Sequence, residues 1–118
     1  MATLTVQTAV VTGVQPTFNS AAGGGDVFAN DGNTYAHFIN GSGGAITVTF
    51  DAVPTSVNKE GFGDITISDT AVAIPAGEQR VIGPFPQARF NNASGQVSMT
   101  YSGVTSLTVA TIKLPRPQ

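Results

Sequence analysis

The sequence predicts an all-β fold, an antiparallel β-sandwich of about eight to ten short strands. Apolar residues recur at every second position through most of the chain, which is the period of a half-buried strand. Clusters of Gly, Pro, Asn and Asp interrupt this pattern about every 8–12 residues. No segment combines a cap residue with helical periodicity, so we expect no significant helix. A jelly roll and an immunoglobulin-like sandwich are both open, because strand spacing does not reveal strand order.

The N-terminal segment carries apolar side chains on both sides of its alternating pattern. Leu4, Val6 and Val10 share one side of a predicted strand over residues 4–11. A strand with two apolar sides is either buried in its own protein or laid against a partner. We therefore expect residues 1–12 to form a buried strand or an N-terminal arm that pairs with another chain.

The remaining strands follow from the same alternation between turn signals. In residues 45–51 and 97–101, apolar side chains occupy one face and Thr and Ser the other, as strand propensity favours. In residues 34–40, Tyr35, His37 and Ile39 share one face, and Ala36 and Phe38 the other. Residues 52–63 contain Pro and Gly and are expected to be an irregular connection, and residues 115–118 a short tail. Strands are predicted at residues 17–19, 26–30, 34–40, 45–51, 64–68, 88–90, 97–101 and 106–114.

The Asp31-Gly32 pair is the strongest short hairpin signal in the chain. Both residue types tolerate the positive φ angles of a type I′ turn, whose twist matches that of two paired strands. We therefore expect the strands before and after this pair to lie side by side in one sheet.

A second hairpin is predicted within residues 71–86, which have the pattern of strand, turn and strand. Pro75 presets the first central position of a type I turn, and Gly77 can adopt the left-handed conformation that ends it. Pairing Val72 with Val81 would keep the apolar residues of the two strands together.

The second strand of this hairpin ends in a proline-rich corner, Gly83-Pro84-Phe85-Pro86. Prolines on both sides of an aromatic residue stiffen the backbone and hold the ring in a fixed place. Such a ring is either an interface anchor or a plug at one end of the sandwich. The candidate protein-interface residues are Leu4, Val6, Val10, Phe85 and Pro86.

Length and composition narrow the class of protein. The 118 residues suit one domain, 1–118, and the absence of cysteine excludes disulfides. Charged residues make up 10% of the chain, against roughly 25% in average proteins. This low charge suits a surface partly hidden in an assembly, or simply a Thr- and Ser-rich exterior.

The net charge of −2 predicts no nucleic-acid partner. No apolar run approaches the ~18 residues that a membrane-spanning helix needs, so we expect no membrane association.

Residue types that carry enzymatic chemistry are sparse. His37 is the single histidine, and no Gly-x-Ser-x-Gly motif accompanies it, so a packed strand histidine is favoured over a catalytic base. One histidine without cysteine leaves too few ligands for zinc. Asp26 and Asp31 could ligate calcium, but solvated turn aspartates are the simpler interpretation. We expect no enzyme activity, no catalytic residue, no cofactor and no metal site.

Four turn-and-strand motifs occur together with a Val- and Thr-rich last strand. The motifs lie at residues 30–34, 38–41, 74–77 and 82–86. With this pattern the chain, over residues 4–114, resembles a family of small all-β structural proteins of tailed phages and prophages, which are similar to capsid decoration (cement) proteins. The resemblance implies a β-sandwich that binds the outside of an icosahedral shell as a trimer or dimer.

The resemblance and the sparse charge together predict a non-enzymatic virion protein. It would be made in the host cytoplasm, bind the major capsid protein and decorate or stabilise the head. Many weak copies on a repeating shell add stability through multivalency. Two alternatives are open: a carbohydrate-binding or adhesion module on the virion surface, and another head or tail component. We also expect the N-terminal segment to pair with a partner by β-augmentation.

Overall fold

The computed structural model describes residues 2–53, 56–59, 61, 63–66 and 68–114. Strands dominate these residues, so the all-β prediction is confirmed. The predicted tail 115–118 and residue 67 of a predicted strand lie outside them. In chain order the elements are β1 (Ala2–Leu4), β2 (Val6–Thr8), β3 (Asn19–Ser20), β4 (Asp26–Ala29), β5 (Thr34–Asn40), β6 (Ile46–Phe50), β7 (Ser56–Lys59), β8 (Gly63–Thr66), β9 (Thr70–Ile74), β10 (Gln79–Ile82), α1 (Gln87–Phe90), β11 (Gln96–Tyr101) and β12 (Leu107–Lys113).

Two five-stranded sheets enclose one apolar core. Sheet A has the strand order β1-β4-β11-β6-β9, and sheet B has the order β10-β5-β12-β2, with β3 also paired to β12. β7 and β8 form a separate antiparallel pair. Phe38 of sheet B and Phe50 of sheet A meet edge to face, with ring centroids 6.3 Å apart. Both rings are fully buried, as are Phe28, Met99 and Val97, so burial of these inward side chains holds the sheets together.

The alternation predicted for the central strands is confirmed. In β5, Ala36 and Phe38 are buried, whereas Tyr35, His37 and Ile39 are half-buried on the opposite side. Every second residue of β6 is buried as well, and the same alternation runs through the first four residues of β11. Each sheet therefore has one face in the core and one outer face whose residues can be read from the register.

The N-terminal segment belongs to the sandwich and does not form an arm. β1 pairs in parallel with β4 of sheet A, and β2 pairs in parallel with β12 of sheet B. At Thr5, which lies between β1 and β2, the backbone carbonyl accepts a hydrogen bond of 3.1 Å from the Thr111 hydroxyl of β12. Residues 2–8 are therefore corrected from an arm to edge strands of their own sandwich. Pairing with another chain stays a prediction, because β1 and β2 each have one unpaired edge within the described residues. These two parallel pairs make both sheets mixed rather than purely antiparallel.

The predicted hairpin in residues 71–86 is a corner between the two sheets. β9 pairs with β6 in sheet A, and β10 pairs with β5 in sheet B. Val72 therefore lies opposite Val48, and Val81 lies opposite His37, so the predicted Val72–Val81 pair is wrong.

Buried Asn40, at the end of β5, holds this corner. Its Nδ2 donates to the carbonyls of Ile74 and Gly44, each at 2.9 Å. Its backbone N–H donates to Glu78 O at 3.0 Å, and its carbonyl accepts from the Gly77 N–H at 2.8 Å. Gly77 has the predicted left-handed conformation, with φ of 74°. The left-handed Gly77 is as predicted, but the Glu78 N–H donates to Pro75 O at 3.1 Å, so Pro75 opens the turn and does not occupy its first central position. Distant bonds direct the second strand to the other sheet.

The Asp31-Gly32 turn also joins strands of opposite sheets. Gly32 has the predicted positive φ, 93°, but β4 belongs to sheet A and β5 to sheet B, so the predicted hairpin is wrong. The chain changes sheet again between β5 and β6 and between β11 and β12. In an immunoglobulin sandwich the last two strands share a sheet, so this order is not the immunoglobulin one.

Two further predicted elements differ from the structure. Residues 88–90, predicted as a strand, belong to the helical turn α1, in which the Phe90 N–H donates to Pro86 O at 3.1 Å. Burial of the Phe90 ring, which is 6% exposed, favours this conformation. Residues 52–63, predicted as irregular, contain β7, which pairs with β8.

Candidate functional site

The proline-rich corner turns Phe85 into the core. Gly83 lies so close to β5 that an added Cβ would be 2.9 Å from the Thr34 carbonyl oxygen, and its φ of 134° is one that other residues rarely adopt. Phe85 is 3% exposed, and its ring centroid lies 4.8 Å from that of Phe50. Phe85 is therefore the plug at one end of the sandwich, and its prediction as an interface anchor is wrong.

The other predicted interface residues divide between the core and the surface. Leu4 is 7% exposed and belongs to the core, against which half-buried Val6 packs. Val10 is 53% exposed in the loop after β2, and Pro86 is exposed at the start of α1. Leu4 is therefore corrected from interface to core, and the exposed residues lie on separate loops.

The outer face of sheet A presents small uncharged side chains on three neighbouring strands. Thr49 of β6 lies opposite Thr100 of β11 and opposite Ala71 of β9, and Thr47 lies opposite Ala73. These side chains are exposed or half-buried. We name this surface the threonine face, and it consists of Thr47, Thr49, Ala71, Ala73, Ser98 and Thr100.

Acidic residues lie at one end of the threonine face. Asp51 directly follows β6, and Asp69 directly precedes β9. Partial burial and the nearby Asp69 carboxylate raise the pKa of Asp51 above its usual value. Asp69 Oδ1 accepts a hydrogen bond from the Ala52 N–H at 2.8 Å, which fixes its position. In the described part of the chain, no three His, Cys, Asp or Glu side chains cluster as a metal site would require.

β9 is the edge strand of sheet A next to the threonine face. Within the described residues its outer edge is unpaired, and its five residues include no charge and no proline. β10, an edge strand of sheet B, instead contains Arg80, whose Nη2 lies 2.8 Å from Glu78 Oε1. Charged side chains on an edge discourage the addition of another strand. β9 is therefore the more open of these two edges.

The outer face of sheet B is more apolar and carries aromatic rings. His37 lies opposite Val81 of β10 and opposite Ala110 of β12. The Phe18 ring meets the His37 ring edge to face, with centroids 5.0 Å apart, and Ala110 is 1% exposed. His37 Nε2 also lies 2.9 Å from Gln79 Oε1. An amide and an aromatic ring are the surroundings of a packed strand histidine, which is what the sequence favours.

A carboxylate and a phenol form a buried pair inside the sandwich. Fully buried Asp26 accepts hydrogen bonds at Oδ2 from the Tyr101 hydroxyl at 2.6 Å and from the Ala22 N–H at 3.2 Å. Burial and the bond to Asp26 raise the pKa of Tyr101 far above its usual value. No group in the described residues donates to Asp26 Oδ1. Asp26 is therefore not the solvated loop aspartate that the sequence suggests.

A shallow pocket of about 170 Å³ opens beside the Asp31 turn. The Asn33 N–H donates to Asp31 Oδ1 at 2.9 Å and lowers the pKa of that carboxyl. Asn30 also lines the pocket, but its Nδ2 donates to the Phe85 carbonyl at 2.9 Å and to Asn91 Oδ1 at 2.7 Å. The Asn30 amide thus joins the turn to the corner around Phe85, and the polar groups named here at the pocket bond groups of their own chain.

Comparison of the sequence with protein-family models and with curated proteins gave no match, and comparison of the structure with solved structures gave none. No helix in the described residues has the length and apolar character needed to cross a membrane. The structure thus defines an all-β sandwich-like fold with one uncharged outer face.

Sequence reasoning missed two features of these surfaces. The open edge of β9 was not identified, although the lack of charge in residues 70–74 was a visible signal. The burial of Asp26 had no such signal, because its partner Tyr101 lies 75 residues away along the chain.

Proposed function

We propose that this chain is a non-enzymatic virion protein that binds the outer surface of a phage capsid through the threonine face, and so decorates or stabilises the head. The proposal that the particle is a phage head comes from the sequence resemblance. The observation that carries the proposed contact surface is the threonine face itself, an uncharged patch on three adjacent strands beside an open edge.

The side chains of the threonine face suit contact with another protein. Ala loses no side-chain conformational entropy on burial, and the branched side chain of Thr has few rotamers to lose. Thr49 and Thr100 lie opposite each other on β6 and β11 and carry no charge whose hydration would be lost. A partner surface can therefore cover this face at small cost.

The size of the threonine face argues for weak contacts made by many copies. Three strands about 4.8 Å apart, each contributing two outward residues, present roughly 200 Å². A stable protein interface needs about 800 Å² from each partner, so one copy bound through this face alone dissociates readily. A repeating shell compensates, because an oligomer that engages several capsid subunits at once gains avidity. We propose the major capsid protein as the partner and a dimer or trimer as the bound form.

The first test asks where the chain is found. Particles induced from a strain that encodes it are purified, and heads are separated from tails on a gradient. Peptide mass spectrometry should detect the chain in the head fraction, in many copies per particle. Its presence in tails alone would favour the tail-component alternative, and its absence from particles would contradict the proposal.

The second test asks which face makes the contact. Thr49→Lys/Thr100→Lys adds two charges to the centre of the threonine face, and purified protein is then bound to heads that lack it. We expect at least a tenfold loss of affinity, because the added charges must be desolvated. Thr100→Lys alone and Val81→Lys form the matched single-charge pair, since Val81 is 64% exposed on the outer face of sheet B. Equal loss with both variants would refute the assignment of the face.

A carbohydrate-binding role is a second candidate, supported by the aromatic outer face of sheet B. Tyr35 and His37 project from β5 on this side, and Gln79 contacts His37. Aromatic rings beside an amide are suited to sugar rings and hydroxyls, whereas buried Phe85 is not accessible for this role. Glycan-array binding that is lost in Tyr35→Ala/His37→Ala and retained in Thr49→Lys/Thr100→Lys would favour this candidate over the capsid contact.

A further inference from the structure

We propose that β9 pairs with β9 of a second copy of this chain, in antiparallel orientation about a two-fold axis with Val72 opposite Val72. The two copies of sheet A then join into one continuous sheet. This inference goes beyond the proposed function, because self-pairing requires no capsid and no phage.

The first argument is that the edge of β9 is open. β9 pairs with β6 on one side, and no strand in the described residues pairs with its other side. β7 and β8, which precede it in the chain, pair with each other. An edge strand carries a row of backbone donors and acceptors that match those of another strand. The five residues of β9 include no proline and no charge of their own. Arg89 reaches only the start of the strand, where its Nη2 donates to Ser68 O at 2.9 Å and to Thr70 Oγ1 at 3.5 Å.

The second argument is that β9 is complementary to itself. With Val72 on the axis, Ala71 of one copy faces Ala73 of the other, and Thr70 faces Ile74. Ala71 and Ala73 both lie on the outer face, whereas Val72 and Ile74 point toward the core side. Each cross-strand pair therefore joins residues of the same face, which a two-fold contact requires.

The third argument concerns charge and selects a second copy as the occupant. Self-pairing about Val72 gathers Ala71 and Ala73 of both copies around the axis, so a charge at either position would lie near its own symmetry copy. β9 avoids this repulsion because its five residues are uncharged. The other edges are less suitable: β10 carries Arg80, and β1 and β2 contain three residues each. A second copy brings the same uncharged five-residue strand by symmetry, so neither side of the contact has a charge to desolvate.

Self-pairing would place two threonine faces side by side. Ala71 and Ala73 are the β9 members of that face, so the faces of the two copies would meet at the axis without a charged residue between them. The doubled face would give the dimer two contact surfaces in one plane.

The test measures self-association by sedimentation velocity over about three decades of concentration, up to about 0.5 mM. We expect a monomer–dimer equilibrium for the wild-type protein. Ala71→Lys/Ala73→Lys places like charges opposite each other across the axis, so we expect dimerisation at least tenfold weaker. Thr47→Lys/Thr49→Lys adds the same charges to the same face one strand inward, and we expect it to dimerise like the wild type. Circular dichroism and thermal unfolding check that all the variants fold.

A charge exchange tests the register itself. Ala71→Glu/Ala73→Glu should also fail to self-associate, but mixing it with Ala71→Lys/Ala73→Lys should restore a dimer, because opposite charges then face each other. A wild-type protein that stays monomeric throughout, equal loss with the β6 control, or no restoration on mixing would each overturn the proposal. These results are separate from head binding, which fails or succeeds independently in the Thr49→Lys/Thr100→Lys experiment.

Discussion

The outer faces of the two sheets differ in what covers them. On sheet B, Phe18 packs against His37, and the Gln7 side chain binds the Thr17 backbone by two bonds of 2.9 and 3.1 Å, which holds the segment before β3 in place. The chain thus uses its own residues to shield the more apolar face. On sheet A the threonine face needs no such cover, because Thr and Ser side chains are compatible with water. We therefore keep the proposed partner contact on the threonine face of sheet A, which no other segment of the described chain is shown to cover.

Asn40→Ala should have the largest effect, because Asn40 holds the corner that sends β9 and β10 to different sheets. The substitution removes the donors to the Ile74 and Gly44 carbonyls and leaves polar groups unpaired. We expect a loss of about 3 kcal/mol in the free energy of unfolding, measured by denaturant titration.

Two further variants isolate the cause. Asn40→Asp keeps the shape but loses both Nδ2 donors, so it should be destabilised to a similar extent. Asn19→Ala removes an exposed asparagine from β3 and should change stability by less than about 0.5 kcal/mol. A stable Asn40→Ala protein would show that the corner forms without this side chain.

Gly83→Ala should come next, because it disturbs the end of β10 in sheet B. The added Cβ would lie 2.9 Å from the Thr34 carbonyl oxygen, at a φ of 134°. We expect a loss of about 2–3 kcal/mol, read from thermal unfolding. Gly77→Ala is the matched control: its φ is also positive, but no atom lies within 4 Å of the added Cβ. Conformational strain alone should cost it about 1 kcal/mol. Equal losses in both variants would contradict the role assigned to the close contact.

These corners mark where prediction from the sequence ends. The positions of β5, β6 and β12 and the inward and outward residues of β6 follow from alternation, which is a local property. Gly77 and Gly32 were correctly predicted to adopt positive φ, but such a turn serves a hairpin and a corner equally well. Whether the turn leads to a hairpin or to a corner depends on long-range hydrogen bonds. Asn40 bonds the Ile74 carbonyl 34 residues away in sequence, and Asn30 bonds the Phe85 carbonyl 55 residues away. The threonine face was visible in the outward Thr residues of β6, whereas the open edge required the strand order.

Tyr101→Phe tests the interior of sheet A. Asp26 would keep the hydrogen bond from the Ala22 N–H but lose the 2.6 Å hydrogen bond from the Tyr101 hydroxyl. The Asp26 side chain would stay buried with one donor fewer. We expect a loss of about 2 kcal/mol, measured by denaturant titration. Tyr35→Phe is the matched control, because Tyr35 lies on the outer face of sheet B, and it should change stability by less than about 0.5 kcal/mol. Similar losses for both would show that the buried pair contributes little.

The same pair gives a pH dependence with a definite sign. The pKa of Tyr101 is raised in the folded state by burial and by Asp26. The stabilisation is therefore complete below the unfolded pKa of about 10 and declines as the pH rises above it. Unfolding free energies measured from pH 8 to 11 should fall more steeply for the wild type than for Tyr101→Phe. Parallel curves would mean that Tyr101 ionises equally in both states.

The smallest stability effect is expected at the charged edge of sheet B, where the comparison with β9 is sharpest. Glu78→Ala/Arg80→Ala removes an exposed ion pair of 2.8 Å and should cost less than about 0.5 kcal/mol. Its effect on association should be larger, because β10 would then be as unprotected as β9. Sedimentation velocity should therefore show species beyond the dimer in this variant. If no larger species form, charge does not distinguish the two edges. The proposed dimerisation through β9 would then depend on its side chains and register.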